Sequence, residues 1–158
     1  MSKKVDPLPK GRNTLNPHLS LKNASKAIEF YKQVFHAQEL SRFLHKGKIL
    51  HAELKIGDSV LFIADEFPDP DGCGISSPQS LLGTTVMIHL NVMDVDSYFN
   101  RAIKAGAKVL MPLDDMFWGD RYGQIEDPFG HRWSLSTHIK DLSEEEIKMR
   151  AQETLGPK

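Results

Sequence analysis

Cysteine is nearly absent from this 158-residue chain, with Cys73 standing alone, which excludes a disulfide or a thiolate zinc cage built within one chain. So sparing a use of cysteine suits a reducing, cytoplasmic setting. Net charge is nearly absent too. With 20 Lys and Arg against 21 Asp and Glu, there is no strong field to hold nucleic acid or an anionic membrane. No apolar run approaches membrane-spanning length, and the basic start Met1-Ser2-Lys3-Lys4-Val5-Asp6-Pro7 has no apolar stretch behind it to make a secretory signal. What stands out is histidine, with seven residues.

The length suits one domain with a real core. Residues 1–13 carry three lysines, an arginine and two prolines without periodicity, and read as a disordered or docked tail. From Leu15 the chain alternates, with Leu15, Pro17, Leu19 and Leu21 on one face and Asn16, His18 and Ser20 on the other, as a half-buried strand does. Asn23 then caps a helix carrying Ala27, Ile28, Tyr31, Val34 and Phe35 at helical spacing and ending near His36. Strands are expected over 38–44, 48–56 and 59–64, joined by turns at Lys46-Gly47 and Gly57-Asp58. Residues 67–84, rich in Pro and Gly, form a linker.

The second half repeats the first. His18-Leu19-Ser20-Leu21 returns as His89-Leu90-Asn91-Val92, followed by a helix capped by Asp94 and stopping at Gly106. A strand over 107–111, a loop through Asp114 and Asp115, a strand over 121–126, the Asp127-Pro128-Phe129-Gly130 turn and a strand over 131–137 complete the copy. Ser143-Glu144-Glu145-Glu146 is a capping box that opens a helix within 139–158. The expected fold is α+β, with a domain over 14–138 built from two βαβββ modules, 14–66 and 85–138, and an extra C-terminal helix.

The apolar faces of these strands hold Leu19, Leu21, Leu50, Ala52, Leu54, Ile56, Leu61, Ile63, Val86, Ile88, Leu90, Val92, Trp133 and Leu135. The opposite, inner faces present His18, Ser20, His51, Glu53, Met87, His89, Asn91, Gln124, Glu126, Ser134 and Ser136. An ordinary wet sheet face is dominated by Lys, Glu and Thr, whereas three histidines at strand centres point to a pocket for a small molecule. His18, His51, Glu53 and His89 have the chemistry of divalent-metal ligands, although no short spacing such as His-x-x-x-His joins them. His51 and Glu53 also form a candidate acid/base pair, with a lone hydrogen-bonded carboxylate as the plainer alternative. The segment from Phe117 to Gly123 adds Trp118, Arg121 and Tyr122 as ligand contacts. Arg121 suits either an anionic ligand or a clamp onto Asp120 or Asp127.

The paired modules, the Trp118-Gly119-x-Arg121 element and the Asp127-Pro128-Phe129-Gly130 turn resemble the glyoxalase/bleomycin-resistance/dioxygenase, or vicinal oxygen chelate, superfamily. The stretches His51-Ala52-Glu53-Leu54-x-Ile56-Gly57-Asp58-Ser59 and Ala64-Asp65-Glu66-Phe67-Pro68 are similar to its PhnB-like branch. The resemblance implies two curved mixed sheets, pairing of modules within a chain or across a homodimer, and either metal-dependent lyases, isomerases and dioxygenases or metal-free binders. In the glyoxalase pattern each module gives a metal ligand from its first strand and a glutamate from its last. Here the first-strand positions fall at Asn16 and Met87, with His18 and His89 one step inward, and the glutamate positions fall at Phe62 and Ser134. The standard carboxylates are missing, which argues against glyoxalase I activity. The leading expectation is a homodimeric small-molecule-binding protein with ligand contacts at His18, His51, Glu53, His89, Trp118, Arg121, Tyr122 and Ser134. Its alternatives are an enzyme with a relocated divalent metal and Glu53 or His51 as base, or a non-catalytic scaffold.

Overall fold

A computed structural model describes residues 6–67 and 75–156; Cys73 lies outside them. The described elements are β1 (His18–Leu21), α1 (Ala24–Phe35), β2 (Gln38–His45), β3 (Lys48–Ile56), β4 (Ser59–Asp65), α2 (Pro78–Leu81), β5 (Met87–Asn91), α3 (Val95–Lys104), β6 (Lys108–Asp115), β7 (Asp120–Glu126), β8 (Arg132–His138) and α4 (Glu144–Leu155). The chain forms two compact units that divide between Leu82 and Gly83. Each holds one four-stranded mixed sheet, ordered β1-β4-β3-β2 in the first unit and β5-β8-β7-β6 in the second. The first strand of each module, β1 or β5, pairs in parallel with its last, β4 or β8, and the other pairings are antiparallel. This is the expected α+β arrangement of two βαβββ modules with a C-terminal helix.

The helices start where the sequence provides partners for their first free N–H groups. Asn23 and Asp94 cap α1 and α3 with the same backbone angles, φ −144° and ψ 83°, and the last strand of each module braces the same helix start. In the first unit, Asp65 accepts from Ala24 N at 2.8 Å and from Ile49 N at 2.7 Å. In the second, Thr137 Oγ1 accepts from Val95 N and donates to Val92 O, both at 2.8 Å. Helix α1 then buries Ala27, Ile28, Tyr31, Val34 and Phe35 with the sheet residues Leu21, Ala52, Leu54 and Ile63. Helix α3 buries Val95, Phe99 and Ala102 in the unit whose sheet buries Ile125, Trp133 and Leu135. The capping box at Ser143 is formed, and α4 buries none of its residues.

Three sequence expectations change. Leu50 is not on the helix-packed face. Phe43 pairs with His51 and Leu44 with Ile49, so Leu50 is the extra residue of a β-bulge, and a bulge resets the alternation of side chains. Ile49 takes the buried place at 2% exposure while Leu50 is 45% exposed. Second, Asp114 and Asp115 belong to β6 rather than to a loop, because they pair with Tyr122 and Arg121. Third, the linker contains a one-turn helix, α2, capped by Ser77 with Pro78 in its first turn, a segment too short for periodicity to reveal.

The Asp127-Pro128-Phe129-Gly130 turn is held by one buried carboxylate. Asp127 is 3% exposed. Its Oδ1 accepts from Phe129 N at 2.9 Å and His131 N at 3.0 Å, and its Oδ2 accepts from Trp133 Nε1 at 2.9 Å. It therefore ties the turn to the largest fully buried side chain of β8. Replacement by alanine leaves buried donors without their acceptor, each at a cost of about 1–3 kcal/mol. Asp127→Ala is expected to lose roughly 3 kcal/mol or more, and Asp127→Asn less, since the amide oxygen still serves the two turn N–H groups. Urea denaturation followed by tryptophan fluorescence measures both; an alanine variant as stable as the parent contradicts the assignment.

Candidate ligand-binding site

The strand register that builds each sheet also assembles its inner face. In the first unit His18 stands opposite Phe62, and Phe62 opposite Glu53, while His51 precedes Glu53 by one full pleat. The His51 and Phe62 rings lie 5.0 Å apart, and His18 meets His51 edge-on at 6.1 Å and Phe62 at 6.2 Å. Glu53 is 7% exposed, and its Oε1 lies 3.4 Å from His51 Nε2. Its main partner comes from the tail: Arg12 Nε donates to Oε2 at 3.3 Å and Nη2 donates to Oε1, with the guanidinium 5.4 Å from the Phe62 ring centre. Burial, followed by the nearby His51, holds the His18 imidazole below its ordinary pKa. Space beside this cluster amounts to a cavity of about 50 Å³ lined by His18, Ser20, Leu50, Ala64, Phe67 and Ile75 among others. Drug-sized ligands need about 300 Å³ or more.

The second unit carries an equivalent cluster with different chemistry. His89 stands opposite Ser134, and Ser134 opposite Gln124. His89 is bonded through Nδ1 to Ser134 Oγ at 2.8 Å and through Nε2 to Asn91 Oδ1 at 3.0 Å. Because an amide oxygen only accepts, Nε2 is the donor to Asn91. Ser136 donates to the same Asn91 oxygen at 3.0 Å, so both ring nitrogens are engaged in a closed network. Tyr122 stacks on His89 at 6.1 Å with 19° between the rings, and Trp118 meets Tyr122 edge-on at 5.5 Å. Gln124 Nε2 donates to Tyr122 Oη at 2.9 Å, and Trp118 Nε1 donates to Asp120.

The expected residues are thus gathered as two groups: His18, His51 and Glu53 in one unit, and His89, Tyr122, Trp118 and Ser134 in the other. Arg121 joins neither. It clamps Asp96 of α3 through Nε at 2.7 Å and Nη2 at 2.8 Å, and Asp115 of β6 through Nη1 at 3.0 Å. These partners replace the expected Asp120 and Asp127. The pairing raises the Arg121 pKa further and holds the Asp96 carboxyl below its usual range. Arg12 was not legible as a site residue, and Phe62 was visible only as the position where a glutamate is missing. A larger cleft of about 560 Å³ in the second unit, lined by Asp115, Phe117, Lys140, Arg150, Glu153 and Thr154 among others, contains none of the expected site residues.

The divalent metal implied by the resemblance does not fit these residues. The register places His18 opposite Phe62 and His89 opposite Ser134, and neither Phe62 nor Ser134, where the resemblance puts the glutamates, carries a carboxylate. Both oxygens of Glu53 are engaged by Arg12. Among the described residues, no three His, Cys, Asp or Glu side chains gather to hold a metal ion.

Fold and inner faces together define a class of two-module βαβββ proteins. Residues 17–135 match the Glyoxalase/Bleomycin resistance protein/Dioxygenase superfamily, and the chain belongs to it. It is 45% identical over 135 residues to an uncharacterized protein of Mycobacterium tuberculosis, covering 85% of this chain and 79% of that one. It is also similar to TioX from Micromonospora sp. ML1, at 27% identity and TM-score 0.64 over 80% of this chain and 99% of that one. A PhnB protein from Bacillus cereus shares the fold, with TM-score 0.60 and 18% identity over 79% and 99% of the two chains. No described helix is long and apolar enough to cross a membrane.

Two histidines should titrate on opposite sides of the ordinary imidazole value near 6.5. His138, bonded to Asp120 at 2.8 Å and Asp141 at 2.9 Å, has a raised pKa, so its contribution to stability is present below pH 6.5 and lost as pH rises through the folded value. His18 is lowered. In the window below pH 6.5 the folded chain binds fewer protons there than the unfolded chain, and its contribution falls as pH falls. Imidazole NMR titration should show both midpoints, with that of His18 moving upward in His51→Ala. A His18 midpoint at or above the ordinary value contradicts the crowded geometry.

Proposed function

We propose that this chain is a small-molecule-binding member of the superfamily whose inner sheet faces hold an organic ligand by ring stacking and hydrogen bonds. The observation that carries this is the Trp118–Tyr122–His89 series of rings, at 5.5 and 6.1 Å, backed by Ser134 and Ser136, which are 3% and 1% exposed. Aromatic faces bind planar groups, while hydroxyl, amide and imidazole groups at the same place orient a ligand's polar edge. A scaffold face would not need such a network. His18, His51 and Glu53 supply the equivalent contacts in the first unit; Arg121, committed to Asp96 and Asp115, acts as a structural clamp.

The enzyme alternative, with Glu53 or His51 as base, requires Arg12 to leave Glu53, because a general base needs a free acceptor within reach of its proton. A homodimer in a reducing compartment completes the proposal, supported by the apolar Leu40, Phe43 and Leu44, which are 51%, 60% and 63% exposed on β2, and by the lone cysteine. Light scattering tests the oligomeric state.

Thermal-shift screening with planar heteroaromatic compounds, in the presence of a chelator, tests the binding reading, since a ligand that binds only the folded state raises its apparent stability. At least one compound should raise the melting temperature, and Tyr122→Ala and His89→Ala should each weaken its binding by about tenfold, or roughly 1.4 kcal/mol. Binding that appears only after manganese, zinc or nickel is added, or that ignores both substitutions, would falsify it.

A further inference from the structure

Glu53 and Arg12 carry a second conclusion, which rests on the small-molecule reading and names a ligand class for the first unit. A carboxylate as buried as Glu53, at 7% exposure, needs a cation or several donors to offset its lost hydration. Within the sheet, His51 Nε2 lies 3.4 Å away. The full cation arrives from 41 residues earlier in the chain, on a segment that precedes β1 and holds neither helix nor strand. The Arg12 side chain is 39% exposed against 10% for that of Glu53. The anionic floor is therefore built into β3, and the Phe62 ring into β4, whereas the cation is delivered from the periphery.

We infer that the inner face of the first unit is a recognition site for a small substituted guanidinium, and that Arg12 is its resident occupant, displaced when such a ligand binds. Arg12 uses Nε and Nη2 side by side, one on each oxygen of Glu53. This two-pronged match belongs to a planar guanidinium and not to a point-charge ammonium. Phe62, 5.4 Å from the guanidinium, adds an aromatic face that favours a cation over a neutral isostere. A tethered occupant competes at high effective concentration, and a free ligand's apparent affinity falls with the fraction of time the site is open.

Calorimetric titration of the full chain with methylguanidine tests this, with butylamine and methylurea as the ammonium and neutral comparators. Arg12→Ala should bind methylguanidine about tenfold or more tightly than the parent, and added methylguanidine should restore melting temperature lost in that variant. Arg12→Gln should behave alike and serves where alanine impairs folding. In the Arg12→Ala background, Glu53→Gln should abolish the gain and Phe62→Leu should reduce it severalfold, with circular dichroism confirming the fold; Phe62→Leu keeps the charge intact if Glu53→Gln fails to fold. The inference is overturned if neither Arg12 variant gains affinity, or if methylurea or butylamine binds as well as methylguanidine. Tyr122-dependent binding of planar compounds is measured separately, so its persistence would confine the failure to the guanidinium site.

Discussion

The parallel pairing of the first and last strands in each module is the constraint on which the rest of this structure depends. A parallel pair needs a crossover connection, and here the first helix and two further strands lie between β1 and β4, and again between β5 and β8. The pairing brings Asp65 or Thr137 to the start of the helix it must brace. The same register fixes the inner face, because the side-chain period in a strand is two and a slip of one residue would move every inner-face group to the other side. His18 opposite Phe62 and His89 opposite Ser134 are therefore consequences of how the module closes.

Equivalent positions in the two modules then diverge in chemistry while keeping their geometry. His18 corresponds to His89, Phe62 to Ser134, Glu53 to Gln124 and His51 to Tyr122, as the shared register shows. The contact between strand neighbours persists through the change: His51 approaches Glu53 in one module, and Gln124 donates to Tyr122 in the other. A network of imidazole, amide and hydroxyl groups, which both donate and accept, can satisfy itself locally. The first module's carboxylate cannot do so with one imidazole edge, and it draws the Arg12 guanidinium from outside its sheet.

Much of this was legible in the sequence, and what was missed has physical reasons. The repeat, the caps at Asn23 and Asp94, the capping box at Ser143 and most strand bounds follow from local chemistry and period, which a sequence displays directly. Leu50 was misplaced because a bulge costs one residue and leaves no compositional mark. Arg121 carried two readings, and its actual partners, Asp96 and Asp115, were out of reach because they depend on how α3 and β6 approach β7. Family resemblance put the glutamate positions at Phe62 and Ser134 and the first-strand positions at Asn16 and Met87, whereas the ladder register sets His18 and His89 opposite Phe62 and Ser134, a pairing that only the folded sheet displays.

Arg12 is the most instructive omission. A tail with three lysines, an arginine and two prolines has too little apolar surface to order itself by burial, so apolar patterning is silent about Arg12. Electrostatics works by a different rule: one buried carboxylate can recruit one cation from any segment long enough to reach it, and no periodicity announces the match. The sheet would satisfy Glu53 at less risk with a strand-borne arginine, fixed by its neighbours. Placing the cation on a segment without helix or strand makes the pair separable while leaving the carboxylate and the Phe62 ring in position. A separable cation over a fixed anionic and aromatic floor is the arrangement that exchange with a soluble cation requires.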